Sequence, residues 1–352
     1  MKQLKGRCVF AQSGGPTTVI NASIAGGLLQ ALEEESVTGV LCAHHGIKGV
    51  LDEDFFDIGK EDKEELLALK HTPASAFGSV RYKLKNPDEN DEDYRRILEV
   101  FKKYDVRYFF YNGGNDSMDT CDKISKYMQK SGYDINVIGI PKTIDNDLCG
   151  TDHCPGYGSA AKYIANSIME VNRDAVIYGS PLVIVVEIMG RNAGWLAAAS
   201  KLAEVGGYGA DLIYLPELPF SYEKFKSDVK KVTDRKKICV VAVSEGIRFE
   251  SGKYVGDDGS MTDAFGHSQL GGVCGVLKAK VKELGLKCKA IELNILQRCA
   301  AHCASETDVE ESFAAGRTAV KAAVGGETDK MISFKRKDGS VYEIEYVATP
   351  LS

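Results

Sequence analysis

The run Ile135-Asn136-Val137-Ile138-Gly139-Ile140-Pro141-Lys142-Thr143-Ile144-Asp145-Asn146-Asp147 begins as an apolar strand and stops abruptly in one lysine and two carboxylates. Charge is costly in a core, so a buried strand that ends this way is delivering charge to a site. Just upstream, the apolar run Tyr108 to Tyr111 ends in Asn112-Gly113-Gly114-Asn115-Asp116-Ser117. Two successive strands therefore present glycines, carboxylates and a lysine at their C-terminal ends.

Outward from that stretch, short apolar runs alternate with amphipathic ones. The spacing predicts strands at Cys8–Ala11, Val40–Ala43, Tyr108–Tyr111, Val137–Ile140, Leu182–Ile188, Leu212–Leu215, Ile238–Val243 and Ala290–Leu293. Helical periodicity covers Asn21–Glu35, Asp91–Lys103, Met118–Ser131, Ser159–Asp174, Tyr222–Asp234, Gln269–Leu284 and Asp308–Val324. This pattern implies an α/β fold of two doubly wound lobes, with mostly parallel sheets and helices on both faces. Ligands of such sheets bind beyond the carboxyl ends of the strands, where the Gly113 and Lys142 motifs fall. The tail, Met331 to Ala348, reads as a β-hairpin turning at Asp338-Gly339 on a sheet edge.

The chain has 352 residues, beyond the size at which single cores usually stop growing, which agrees with two lobes. Hydrophobic content of 44%, charged content of 27%, a net charge of −6 and a pI of 5.7 leave no basic face for nucleic acid. An anionic small substrate then requires locally placed Lys and Arg. No apolar stretch approaches the roughly 20 residues of a membrane span. Ten cysteines without a secretory start are expected as reduced thiols in a cytoplasmic protein. Neither Cys149 with His153 and Cys154, nor Cys299 with His302 and Cys303, has the paired spacing of a structural zinc site.

The first strand runs into Ser13-Gly14-Gly15-Pro16-Thr17-Thr18 and a helix near Asn21, so backbone amides and a helix N-terminus can approach a phosphate. No Gly-Lys-Ser/Thr follows, which excludes a P-loop. Gly156-Tyr157-Gly158-Ser159-Ala160-Ala161 has dinucleotide-type spacing but follows no strand, and Gly206-Gly207-Tyr208-Gly209 reads as a turn. Asn115, Asp116, Asp145 and Asp147 are hard oxygen ligands on neighbouring strand ends, suited to Mg²⁺ bridging phosphate oxygens. Asp116-Ser117 also reads as a cap for a helix starting at Met118. Phosphoryl transfer needs charge neutralisation, alignment and a base near the acceptor hydroxyl, and this set supplies all three.

Six motifs stand in order: Gly14-Gly15 before Asn21-Ala22, Gly113-Gly114-Asn115-Asp116-Ser117, Pro141 to Asp147, Met189-Gly190-Arg191-Asn192-Ala193-Gly194-Trp195, Ser244-Glu245-Gly246 and Gln297-Arg298. In order and spacing they resemble the phosphofructokinase family over about residues 8–320. The resemblance implies phosphoryl transfer to the 1-hydroxyl of fructose 6-phosphate, in a homodimer or homotetramer. It implies a donor lobe of residues 1–156 with about 297–330, a sugar-phosphate lobe of about 157–296, and the tail 331–352. Asp145 resembles the general base, beside Thr143, with Asp147 and Asn115 toward Mg²⁺. Arg191 would stabilise the transferring phosphoryl group, Met189 and Gly190 line the sugar site, Glu245 meet sugar hydroxyls, and Arg298 hold the 6-phosphate. Gly14, Gly15, Arg81, Gly114 and Ser117 resemble contacts to the donor.

Asp116 and Lys142 replace glycines of ATP-using members and resemble the pyrophosphate-dependent branch. A carboxylate at Asp116 disfavours an α-phosphate by about 1 kcal/mol or more. Lys142 is a point charge suited to a compact donor. The alternatives are an ATP-dependent phosphofructokinase and a non-catalytic regulatory subunit. Several positions depart from the family: Asn115 for an aspartate ligand, Leu182 for an arginine, Lys289 for a second sugar-phosphate cation and Ile295 for a histidine. The altered pocket leaves room for an acceptor such as sedoheptulose 7-phosphate. Ala25 and Leu29 stand where bacterial ATP-dependent members carry effector-binding arginines, so no control through that site is expected.

Overall fold

A computed structural model describes residues 4–256 and 272–351. In chain order its strands are β1 (Gly6–Gln12), β2 (Val37–Ala43), β3 (Phe55–Asp57), β4 (Val106–Gly113), β5 (Asn136–Pro141), β6 (Leu182–Ile188), β7 (Leu212–Tyr214), β8 (Ile238–Ser244), β9 (Lys287–Glu292), β10 (Lys330–Arg336) and β11 (Ile344–Pro350). Its α-helices are α1 (Ile20–Glu33), α2 (Ile47–Asp52), α3 (Lys63–Ala68), α4 (Glu92–Tyr104), α5 (Asn115–Lys130), α6 (Tyr157–Val176), α7 (Trp195–Ala199), α8 (Tyr222–Lys236), α9 (Val273–Lys282) and α10 (Glu306–Val324). The helix expected over Gln269–Leu284 is seen from Val273; its start at Gln269 lies outside the described residues.

The chain divides into two compact units, Met1–Gly158 with Ala304–Ser352, and Ser159–Cys303. In the first unit the described strands form one sheet in the order β11-β10-β5-β4-β1-β2-β3. Its β2-β1-β4-β5 centre is parallel, and β3 and β11 add antiparallel edges. The tail hairpin belongs to this sheet, because β10 also pairs in parallel with β5.

The two-residue period of β1 sorts its side chains between two cores. Val9 and Ala11 face Tyr94, Ile97 and Phe101 of α4 and Ile124 of α5, whereas Cys8 and Phe10 face Ile24 and Leu28 of α1 and Ala315 and Ala319 of α10. Small residues let the latter two helices approach: a Cβ on Gly316 would stand 1.8 Å from the Ser23 carbonyl oxygen. Phe10 and Phe110 are fully buried and stack at 4.5 Å, and truncation of either to alanine should cost about 3–5 kcal/mol.

The second unit contains a parallel sheet in the order β7-β8-β6-β9. Val183 and Val185 of β6 and Val241 of β8 pack against Phe225 and Val229 of α8 and Leu277 of α9. The central strands β6 and β8 are buried end to end, as strands covered on both faces must be.

Candidate active site

In the first unit β1, β4 and β5 end level with one another, Gln12 opposite Asn112 and Gly113 opposite Pro141. The chain leaving β4 turns straight into a helix. Gly114 caps α5 in an extended conformation, and a Cβ on Gly113 would lie 2.0 Å from Ser117 Oγ. Helix α5 thus begins at Asn115, and the expected cap at Asp116-Ser117 is corrected: Asp116 sits inside the first turn, exposed, where the positive end of the helix dipole favours a carboxylate. Ser117 is buried.

Lys142, the first residue beyond β5, is 3% exposed, so it is no solvated surface lysine. Its backbone N–H donates to Gly113 O at 2.9 Å and its Nζ donates to Gly15 O at 2.6 Å. Gly14 has φ +78°, and a Cβ there would be 3.1 Å from Lys142 Nζ. The structure thus joins the first glycine turn, the β4 end and the lysine. Arg81 is exposed on a segment tied to the same turn by Ser79 Oγ, which donates to Gly14 O at 2.7 Å.

The turn from Thr143 to Asp147 is held from within and from behind. Asp145 N–H donates to Thr143 Oγ1 at 3.1 Å, and Thr143 N–H donates to Pro155 O at 3.1 Å. Asn146 adopts φ +56°, a conformation asparagine tolerates better than most residues, and its Oδ1 accepts the Cys154 N–H at 2.8 Å. Asn115 Nδ2 donates to Asp147 Oδ2 at 2.9 Å, so two exposed oxygen-bearing side chains meet. Burial pushes the Cys154 thiol up to about 12, and Asp147, Asp145 and Asp308 add to that, so this cysteine is an inert neutral thiol. Both nitrogens of His153 already face carboxylates, Asp152 at 2.9 Å and Glu311 at 2.8 Å.

In the second unit Ile188 and Ser244 end β6 and β8 opposite one another. Glu245 N–H donates to Ile188 O at 2.9 Å, and Glu245 Oε1 accepts the Gly190 N–H in a long 3.4 Å contact. Ser244 Oγ donates to Gly190 O and accepts the Gly246 N–H at 3.2 Å. Gly190 has φ +131°, and a Cβ on Gly246 would stand 1.9 Å from the Arg191 carbonyl oxygen. Gln297, 1% exposed, accepts the Met189 N–H at 3.4 Å and sets Arg298 next to it in sequence. Arg191 Nε is buried with no acceptor among the described residues. Met189, Gly190, Arg191 and Glu245 are thus gathered at one sheet end, with Arg298 one residue beyond the Gln297 that bonds to Met189. Lys289 is not with them: it lies opposite Ile184, well before the end of β6, and its Nζ pairs with Asp174 at 3.1 Å. Leu182 is buried at the start of β6 and Ile295 is 65% exposed.

A family model described as Phosphofructokinase matches residues 7–323. The chain belongs to the phosphofructokinase family. It is 46% identical over 349 residues to the pyrophosphate–fructose 6-phosphate 1-phosphotransferase of Halomonas elongata, covering 97% of this chain and 83% of that protein. A protein of the same name from Xanthomonas campestris is 46% identical over 350 residues, 98% of this chain and 83% of its own length. Among solved structures, a pyrophosphate-dependent phosphofructokinase from Nitrosospira multiformis superposes with a TM-score of 0.89 at 41% identity, covering 99% of this chain and 83% of that one.

Reading from sequence quotes Asn146, Ser244 and Gln297 within the motifs but gives them no role; in the structure their side chains bond to the backbone of Cys154, Gly190 and Met189. The available signal was weak, an asparagine between two aspartates at a strand end, which is a residue type that tolerates positive φ.

Proposed function

We propose that this chain transfers a phosphoryl group reversibly from pyrophosphate to the 1-hydroxyl of fructose 6-phosphate, giving fructose 1,6-bisphosphate and phosphate. The observation that carries the reading is Lys142, a buried cation whose Nζ reaches Gly15 while Asp116 stands in the first turn of α5. A compact, highly anionic donor gains from the lysine, whereas the α-phosphate of a nucleotide would meet the carboxylate.

In this reading Asp145 accepts the proton of the attacking 1-hydroxyl. The new O–P bond forms as the bridging P–O bond of pyrophosphate breaks, and phosphate leaves. Thr143 holds the backbone that presents Asp145, Arg81 and the turn of Gly14, Gly15, Gly114 and Ser117 bind the donor, and Arg191 balances charge on the transferring group. Met189, Gly190 and Glu245 take the sugar and Arg298 its 6-phosphate. Asn115 presents its Nδ2 to Asp147, so the residues that would hold Mg²⁺ are Asp147 through a carboxylate oxygen and Asn115 through Oδ1 once its amide turns, with the other ligands drawn from the donor. Bound there, the ion would neutralise phosphate charge.

A homodimer or homotetramer is proposed as the working state, supported by Trp195, Leu202 and Val205, which are 53%, 55% and 94% exposed on one short helical stretch. A cytoplasmic location is proposed from ten free thiols; no described helix is long and apolar enough to cross a membrane. Coupled assays of fructose 1,6-bisphosphate formation test the function: turnover with pyrophosphate is expected, and turnover with ATP alone would refute the donor assignment.

A further inference from the structure

Arg81 stands in the middle of residues 72–91, a stretch with neither helix nor strand. A segment of that kind holds a side chain in place only if its backbone is fastened elsewhere. Two amides that are 0% exposed, Gln12 at the end of β1 and Asn21 in the first turn of α1, do this. Gln12 Nε2 donates to Asn21 Oδ1 at 2.9 Å, which orients both side chains. Asn21 Oδ1 also accepts the Ala76 N–H at 2.9 Å, Asn21 Nδ2 donates to Thr72 O at 2.9 Å, and Gln12 Oε1 accepts the Phe77 N–H at 3.1 Å. Immediately afterwards Gly78, at φ +71°, turns the chain into Ser79, which bonds to Gly14.

We propose that Gln12 and Asn21 are positioning residues of the donor subsite: through the backbone of residues 72–77 they fix where Arg81 stands against the Gly14-Gly15 turn. This rests on the proposed function in taking that subsite to bind pyrophosphate. Gln12 directly precedes Ser13-Gly14-Gly15, so one buried amide pair ties both the turn and the arginine segment to the sheet. A buried network of this kind holds one geometry because each broken bond would leave a polar group of the backbone or of the amide pair unpaired.

The test uses the full chain with Asn21→Ala, and with Gln12→Met, which is close in volume and keeps the core filled if the alanine variant fails to fold. The expected result is a rise of tenfold or more in the KM for pyrophosphate, with the KM for fructose 6-phosphate changed less than twofold. In an Arg81→Ala background the same substitutions should add less than twofold, since they act through that arginine. Equal rises in both KM values, or effects that multiply in the Arg81→Ala background, would overturn the proposal. Hydrogen exchange at the Ala76 and Phe77 amides is read in the same variants without substrate. Faster exchange at both is expected, and unchanged exchange would also overturn it. A native chain that turned over ATP and not pyrophosphate would refute the proposed function separately, and the same KM split would then be measured with ATP.

Discussion

In the first unit, β4 and β5 end in ionisable or polar side chains that make the joining contacts, Asn115 to the Asp147 side chain and Lys142 to the backbone carbonyl of Gly15. In the second, the ends of β6 and β8 are fixed by backbone: the carbonyl of Gly190 on a serine hydroxyl, its N–H on Glu245, and Gly246 pressed on the Arg191 carbonyl. One sheet end is organised by contacts of its charged and polar side chains and the other by close contacts to its main chain. Replacements of similar volume should therefore be the damaging ones in the first unit, and a single added methyl group in the second.

The largest effect tests the charged side. Asp145→Asn keeps the shape of the turn, including the Asp145 N–H to Thr143 Oγ1 bond, but removes the carboxylate proposed as the base. Its kcat should fall by about 10²–10⁴ while both KM values stay within a few-fold; near-native turnover would remove Asp145 from the role. Next comes Lys142→Met, which deletes the buried cation and retains its stem. Loss of a charge-assisted contact worth about 1.5–3 kcal/mol predicts a rise of roughly 10–100-fold in the KM for pyrophosphate, with the KM for the sugar phosphate unchanged. Should both rise together, the two sheet ends would not be divided as described.

The backbone side is tested by Gly246→Ala. The added Cβ would overlap the Arg191 carbonyl oxygen, so about 1–3 kcal/mol of stability and about tenfold in the KM for fructose 6-phosphate should be lost. Differential scanning calorimetry with steady-state kinetics checks both, and an unaffected acceptor KM would mean that this backbone does not shape the sugar site.

The smallest effect is expected at His153. Burial pulls its proton affinity down, but the hydrogen bonds to Glu311 and Asp152 outweigh this and leave its pKa above the usual value. A folded pKa above the unfolded one means stability that is present in full below pH about 6.5 and lost as pH rises through the folded value. Relative to His153→Gln, the native chain should therefore lose below about 1 kcal/mol between pH 6 and 8. A melting-temperature difference independent of pH would show that the pair contributes nothing.

The same contrast explains what could be read without coordinates. Asp145, Asp147, Lys142 and Asn115 were legible because their chemistry lies in residue type at a strand end. Ser244, Gln297 and Asn146 were not, because their effect is carried by hydrogen bonds to backbone that only folding brings near. Among the elements, β6 was legible to the residue because all its residues but Glu187 are apolar. The start of β9 was not, since Lys287 and Lys289 face solvent on an edge strand and break the apolar run. Short pieces such as β3, α2 and α7 hold too few residues to show a period. The start of α5 was not legible, because its cap is a glycine, Gly114, with no side-chain hydrogen bond to mark it.

The most direct measurement is initial rate for the purified chain with fructose 6-phosphate and Mg²⁺, supplying pyrophosphate or ATP at equal concentration. Turnover with pyrophosphate and a rate at background with ATP is the expected result. Comparable or faster turnover with ATP would contradict the role given to Lys142 and Asp116.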